Sequence, residues 1–136
     1  MSEIRGVWIA NRPHSRVLES RQHIIEMLDF LSFYGFNLIF PVVWNRGYTL
    51  YPSQVMGQHN LPVIDPFYQE QQRDPLAEII IEAKQRNLKV IPWLEYGFAA
   101  SHLLDGGHIL QRYPYWQAID RDGITVRQGG LSWMNA

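Results

Sequence analysis

Glu95 closes an apolar run, Val90-Ile91-Pro92-Trp93-Leu94-Glu95, and it is the carboxylate whose neighbours in sequence most suggest chemistry. A carboxylate set beside aromatic side chains serves as a general acid or base, or accepts hydrogen bonds from sugar hydroxyls. Alternation along an extended run puts Glu95 on the side of Trp93 and Ile91. Two other runs end in a similar way. Gly6-Val7-Trp8-Ile9-Ala10 is followed by Asn11, and Leu38-Ile39-Phe40-Pro41-Val42-Val43-Trp44 by Asn45, while Tyr96 follows Glu95. Each run therefore brings a Trp and a polar neighbour to its end. Indole faces suit the C–H faces of sugar rings, and Asn, Glu and Tyr suit the hydroxyls. An aromatic wall with a few polar groups is the usual make-up of a small-molecule site. The plainer roles are a core position for Trp8 and an ion pair from Glu95 to Arg5 or Lys89.

Other chemistries find less support. Glycoside hydrolysis uses two carboxylates about 5–10 Å apart. Asp65 and Asp105 fall in expected loops, and Asp105 before Gly106 reads as a turn residue, so Glu95 stands as the single catalytic candidate. His102 and His108 with Asp105 match no ligand spacing, and His14, His23 and His59 are scattered, so no metal is assigned. Gly106-Gly107 lacks the Lys-Ser/Thr and the preceding strand of a phosphate loop, no G-x-S-x-G occurs, and Cys is absent. No cofactor is expected. Twelve Lys plus Arg against 13 Asp plus Glu give a net charge of −1. That balance gives no basic footprint for nucleic acid. No apolar run reaches the ~18–20 residues of a membrane span, and Met1 to Asn11 carries no signal-peptide pattern.

The elements that must position these residues alternate. Gly6–Ala10 reads as a buried strand. Ser20 caps a helix whose stripe is Ile24, Leu28 and Leu31, widened by Ile25 and Met27, and Gly35 sits where a helix ends. Asn37–Trp44 is a near-continuous apolar run, as a parallel strand covered on both faces would be. Positions 45–73 read as one long loop, packed by Tyr48, Tyr51, Phe67 and Tyr68. Asp74-Pro75 opens a helix with Leu76, Ile79, Ile80 and Ala83 as its buried stripe, and Lys84 and Arg86 near its end. Lys89–Glu95 is the third strand. Pro41 and Pro92 fall inside strands, and both are read as lying near strand C-termini where the ladder loosens. Beyond Tyr96 the chain is irregular, with a helical turn from His108 to Tyr113 ended by Pro114 and a hairpin turning at Asp122-Gly123.

Strand, helix, strand, helix, strand argues for an α/β fold with a parallel sheet. Residues 1–136 read as about the first three β/α units of a parallel β/α (TIM-type) barrel plus the irregular segment. A closed barrel takes roughly 250 residues, and a third strand left as an open edge invites pairing. The chain is therefore expected to be the N-terminal part of a single barrel domain.

Ile4-Arg5-Gly6-Val7-Trp8 and Phe40-Pro41-Val42-Val43-Trp44-Asn45-Arg46-Gly47-Tyr48-Thr49-Leu50-Tyr51-Pro52-Ser53 resemble the glycosyl hydrolase-like 10 family of bacterial proteins. Asp74-Pro75-Leu76-Ala77-Glu78, Val90 to Phe98 and Trp133-Met134-Asn135-Ala136 extend the resemblance over nearly the whole chain. It implies a TIM-type barrel, glycoside hydrolysis of a polysaccharide or oligosaccharide, and proteins often secreted or associated with the envelope. Carbohydrate-facing positions carry over to Trp44, Asn45, Tyr48, Trp93, Glu95 and Tyr96, joining Trp8 and Asn11 from the strand ends. It also implies that the main catalytic acid lies beyond Ala136, on a fourth strand, leaving this chain inactive alone. Two other roles use the same residues: a non-catalytic carbohydrate-binding barrel, and a structural or interaction module pairing through its third strand.

Overall fold

The computed structural model describes residues 3–135. Its centre is β2 (Leu38–Asn45), flanked by β1 (Gly6–Ile9) on one side and by β4 (Lys89–Val90) and β5 (Trp93–Leu94) on the other, all parallel to it. Helix α1 (Arg21–Phe33) links β1 to β2, and α4 (Pro75–Gln85) precedes β4. This is an α/β arrangement of parallel strands and helices, as the alternation predicts.

Ser20 caps α1 by accepting from the His23 backbone N–H at 3.1 Å. Ile24, Leu28 and Leu31 are its buried face, each contributing about 1.5–3 kcal/mol when removed from water. They meet Ile79 and Ala83 of α4 over Ile9 and Ile39 of the sheet. Asp74 caps α4 through the Ala77 N–H at 2.9 Å, with Pro75 in the first turn.

The buried stripe of α4 differs from the expected one. Ile80 is 46% exposed, and the row facing inward is Pro75, Ile79, Glu82 and Ala83. Glu82 is tolerated there because Arg21 of α1 and Arg86 both grip its carboxylate, at 2.7 and 3.0 Å. Those two hydrogen-bonded cations hold its carboxyl below the usual range.

The third strand is also broken. Ile39 pairs with Val90 and Val42 with Trp93, so Pro41 and Pro92 stand at the same level of neighbouring strands. Neither has an N–H to give, and the ladder is interrupted between them. Pro41 is thus mid-strand, paired with Ile9 of β1, rather than near the strand's end. The ladder loosens there all the same, and its register shifts again between Val42 and Trp44.

Residues 45–73 do not form one loop. Arg46 and Gly47, at φ +56° and +78°, make a two-residue hairpin from β2 into an antiparallel β3 (Tyr48–Thr49). Two short helices follow, α2 (Gln54–Gln58) and α3 (Pro66–Glu70), capped by Ser53 and Asp65. Gly47 is required at its turn: a Cβ there would lie 2.5 Å from the Ala100 carbonyl oxygen.

Beyond Glu95 a second, antiparallel sheet forms from β6 (Ala99–Ser101), β8 (Leu131–Trp133) and β7 (Arg127–Gln128), in that order. Between them lie α5 (Gly107–Arg112), a 3-10 turn at Pro114–Trp116 and the expected hairpin, closed by Val126 N–H to Ala118 at 2.8 Å. Ala136, part of the last stretch of the resemblance, lies outside the described residues.

The helices cover one face of the parallel sheet. On the other, Trp8 stacks on Phe40 with centroids 4.4 Å apart and stays 62% exposed. Ile91 and Leu94 of the third strand are 50% and 62% exposed.

Candidate functional site

Asn11 follows β1, Asn45 ends β2, and Glu95 follows β5, so parallel pairing alone brings the three polar residues to one end of the sheet. Hydrogen bonds join them into a chain. The Tyr68 hydroxyl donates to Asn11 Oδ1 at 2.8 Å, Asn11 Nδ2 donates to Asn45 Oδ1 at 3.4 Å, and Asn45 Nδ2 donates to Glu95 Oε2. Arg46 Nε also donates to Asn45 Oδ1, at 3.0 Å. With its oxygen accepting twice, the Asn45 amide must turn its NH2 toward Glu95. Tyr68 is fully buried, and Asn11 is buried beside it. Burial, and then the charge of Asp65, push the Tyr68 phenol above its usual range, so it stays a neutral donor.

Glu95 sits where the strand has ended. Tyr96 takes φ +57° and Gly97 φ +50°, a left-handed step that a bulky residue adopts only when its surroundings impose it. Alternation therefore stops governing at Leu94. Trp93 packs against the main core, whereas Glu95 is turned to Asn45 and to a cleft of about 380 Å³. Arg12, His14, Asn45, Tyr96 and His102 line that cleft with it. The ion pair to Arg5 or Lys89 does not form: Arg5 pairs with Glu3 at 2.9 Å, and Glu95 holds Asn45.

A second cleft, of about 460 Å³, shares Arg12, Arg46, Ser101 and His102 with the first. The two clefts adjoin at these residues, and together they make up a groove. Tyr48 and His108 wall its far half, stacked with centroids 4.1 Å apart. Burial lowers the pKa of His108, and a backbone hydrogen bond at Gly47 opposes this in part, so the imidazole is neutral near pH 7. Asp65 also borders this half, paired with Arg46 at 3.4 Å and accepting from the Phe67 N–H at 3.0 Å.

Of the residues singled out in the sequence, Asn45, Glu95 and Tyr96 line the first cleft and Tyr48 the second. Asn11 lies behind Asn45 as its hydrogen-bond partner. The three Trp residues stand elsewhere. Trp8 is on the open sheet face, Trp44 packs on the Met56, Leu61 and Ile109 cluster, and Trp93 packs on the main core. Their absence from the groove has a simple cause: each precedes the strand end by one or more residues, and alternation and the turns then aim it away. Arg12, Arg46, His102 and His108 border the groove without having been singled out for it. The one signal for Arg46 was its place before Gly47, a turn-forming pair. His102 and His108 join through the second sheet and α5, whose folding back was not legible. Among the described residues no three His, Asp or Glu side chains converge as a metal site requires.

Comparison with known proteins places this geometry in context. Residues 3–135 match the family described as Glycosyl hydrolase-like 10. Relatives named Glycosyl hydrolase DigH, from Escherichia coli strain K12 and from Shigella flexneri, are each 29% identical over 105 residues, covering 66% of this chain and 24% of the relative. The chain spans about a quarter of the length of these curated relatives. The crystal structure of a hypothetical protein from Ruminiclostridium thermocellum is similar with a TM-score of 0.59 at 15% identity, over 88% of this chain and 57% of that one. That likeness is one of fold.

Proposed function

The chain belongs to the glycosyl hydrolase-like 10 family, and on that footing we propose that it is one part of the β/α barrel of a glycoside hydrolase, supplying a substrate-binding wall at the strand ends. The observation that carries this reading is the joining of Asn11, Asn45 and Glu95, from the ends of three adjacent parallel strands, with Glu95 opening on a groove. In β/α barrels the reacting groups stand at that end of the strands. Glu95 is the proposed catalytic carboxylate, with Asn45 fixing its direction. Tyr48 and Tyr96 supply aromatic and hydroxyl contacts to a polysaccharide or oligosaccharide.

The barrel itself is part of the proposal. Helices cover one face of the parallel sheet, while Trp8 and Phe40 occupy the other and Ile91 and Leu94 lie along the third strand. Further strands continuing from β5 and curling round would turn that open face into a barrel interior. The curated relatives have the length for it.

One observation favours a second reading, a non-catalytic carbohydrate-binding wall. Glu95 is the single carboxylate bordering the first cleft among the described residues, and Asp65 is committed to Arg46. A hydrolase of the usual kind needs a second carboxylate. In the catalytic reading it comes from a strand beyond this chain.

The deciding experiment measures reducing-sugar release from a broad glycan panel by a protein carrying this chain within a complete barrel. Release that Glu95→Gln abolishes while glycan binding persists supports catalysis through Glu95. Binding without turnover on every glycan selects the second reading, and neither binding nor turnover removes both.

A further inference from the structure

Arg12 stands out among the half-buried arginines. Arg73 is paired with Glu78 at 2.6 Å, and Arg86 with Asp29 at 2.6 Å and Glu82 at 3.0 Å. Arg12 has neither an ion pair nor a hydrogen bond among the described residues, and its Nε is buried without a partner. A guanidinium in that position is costly to leave unmatched. It is also held in place: its Cζ lies 3.5 Å over the centre of the Phe67 ring, and Phe67 packs on the main core. Such a stacked guanidinium keeps its plane and presents its N–H edge in a fixed direction.

With Nε covered, the two terminal nitrogens are the part of the guanidinium left accessible, and Arg12 lines the groove. Arg12 borders both clefts, the Glu95 half and the half walled by Tyr48 and His108. Arg46 borders both as well, but its charge is matched by Asp65 at 3.4 Å, and its Nε is taken by Asn45. Glu95 is turned to the Asn45 amide. The groove therefore contains one cation held ready and left without a matching oxygen.

We propose that the groove takes a glycan bearing a carboxylate substituent, which Arg12 receives through its planar N–H edge while the sugar beside it rests on the Tyr48 and His108 wall. This rests on the glycan reading above and narrows it to an acidic substrate. A carboxylate matches the guanidinium fork with two parallel hydrogen bonds. A dianionic phosphate fits less well, since Glu95 borders the same groove and a single guanidinium is there to balance two charges.

The test is calorimetric titration of the 136-residue chain with matched acidic and neutral oligosaccharides. One pair is tetragalacturonate and its methyl ester, and another is a carboxymethylated chitotetraose and its unsubstituted parent. The expected result is binding about tenfold tighter to the acid of at least one pair, weakening with salt. Arg12→Gln removes that preference, so that the acid and its neutral partner bind alike, while Arg12→Lys keeps part of it through charge alone. Thermal unfolding of each variant shows whether the fold survives, and a preference lost only with the fold counts against the inference. Equal binding of acid and neutral partners in every pair, unmoved by Arg12→Gln, overturns the acidic-substrate inference and leaves the glycan reading standing. Absence of binding to all of them overturns both for this chain.

Discussion

The hydroxyl of Tyr68 donates to Asn11 Oδ1 at 2.8 Å between residues 57 positions apart. The contact ties a short helix of the segment after β2 to the end of β1, and through Asn11 it reaches Asn45 and Glu95. Tyr68→Phe leaves the ring in place and strands a buried amide oxygen. The expected loss is about 1–2 kcal/mol in urea unfolding with an unchanged slope. Tyr115→Phe, at a residue 76% exposed, should be neutral by the same measurement. Equal effects at both positions would mean that the network contributes nothing.

A second prediction concerns the turn that aims Arg46 and Tyr48. Gly47 holds φ +78°, and an added Cβ would meet the Ala100 carbonyl oxygen at 2.5 Å, a backbone atom that cannot step aside cheaply. Gly129 also has positive φ, +63°, but open space around it. Gly129→Ala should cost only the left-handed conformation, about 1 kcal/mol. Gly47→Ala should cost that and the clash, about 3 kcal/mol or more. The difference between the two, read in paired denaturation curves, isolates the contact of the β2–β3 hairpin with β6.

The parallel core was legible because its signals are local. Ser20 and Asp74 cap the helices they were expected to cap, and the runs Gly6–Ala10 and Asn37–Trp44 pair in parallel, as the strands Gly6–Ile9 and Leu38–Asn45. Three kinds of feature were not legible. Glu82 reads as a solvent residue until Arg21, on another helix, is seen to reach it. The groove's far wall needs α5 to fold back over the β2–β3 hairpin, a long-range event with no local signature. Where Trp8, Trp44 and Trp93 point was the third, because a Trp near a strand end reads the same whether it faces the groove or packs beside it. Left-handed steps at Arg46 and Tyr96 decide which neighbour faces the groove, and neither residue type announces one.

His108 makes stability depend on pH near neutrality. Burial lowers its folded pKa, so below the ordinary histidine value of about 6.5 the unfolded chain binds the proton and the folded chain resists it. Stability contributed by neutral His108 is complete above about pH 6.5 and is lost as pH falls below it. The Glu82 carboxyl, lowered by Arg21 and Arg86, acts in a separate window, with its contribution lost only below about pH 4.5. The midpoint of thermal unfolding should therefore fall between pH 7 and pH 5, and His108→Gln should flatten that limb while leaving the more acidic one. A limb that survives His108→Gln unchanged would assign it to another group.

Asn45 offers a test of how Glu95 is held. Its NH2 is directed at Glu95 Oε2 because its oxygen already accepts from Asn11 and Arg46. Asn45→Asp preserves shape and both of those donors but replaces the NH2 with an oxygen facing another oxygen. Two carboxyl groups in such contact cannot both ionise freely, and one of them takes up a proton. If Glu95 acts as base or nucleophile in the complete barrel, the acidic limb of the pH–rate profile moves to higher pH. If it acts as the acid, the basic limb moves the same way. Asn45→Ala, which removes the donor without adding charge, should lower kcat with a much smaller displacement of the profile. A profile that Asn45→Asp leaves in place would separate Glu95 from the chemistry and return it to a binding role.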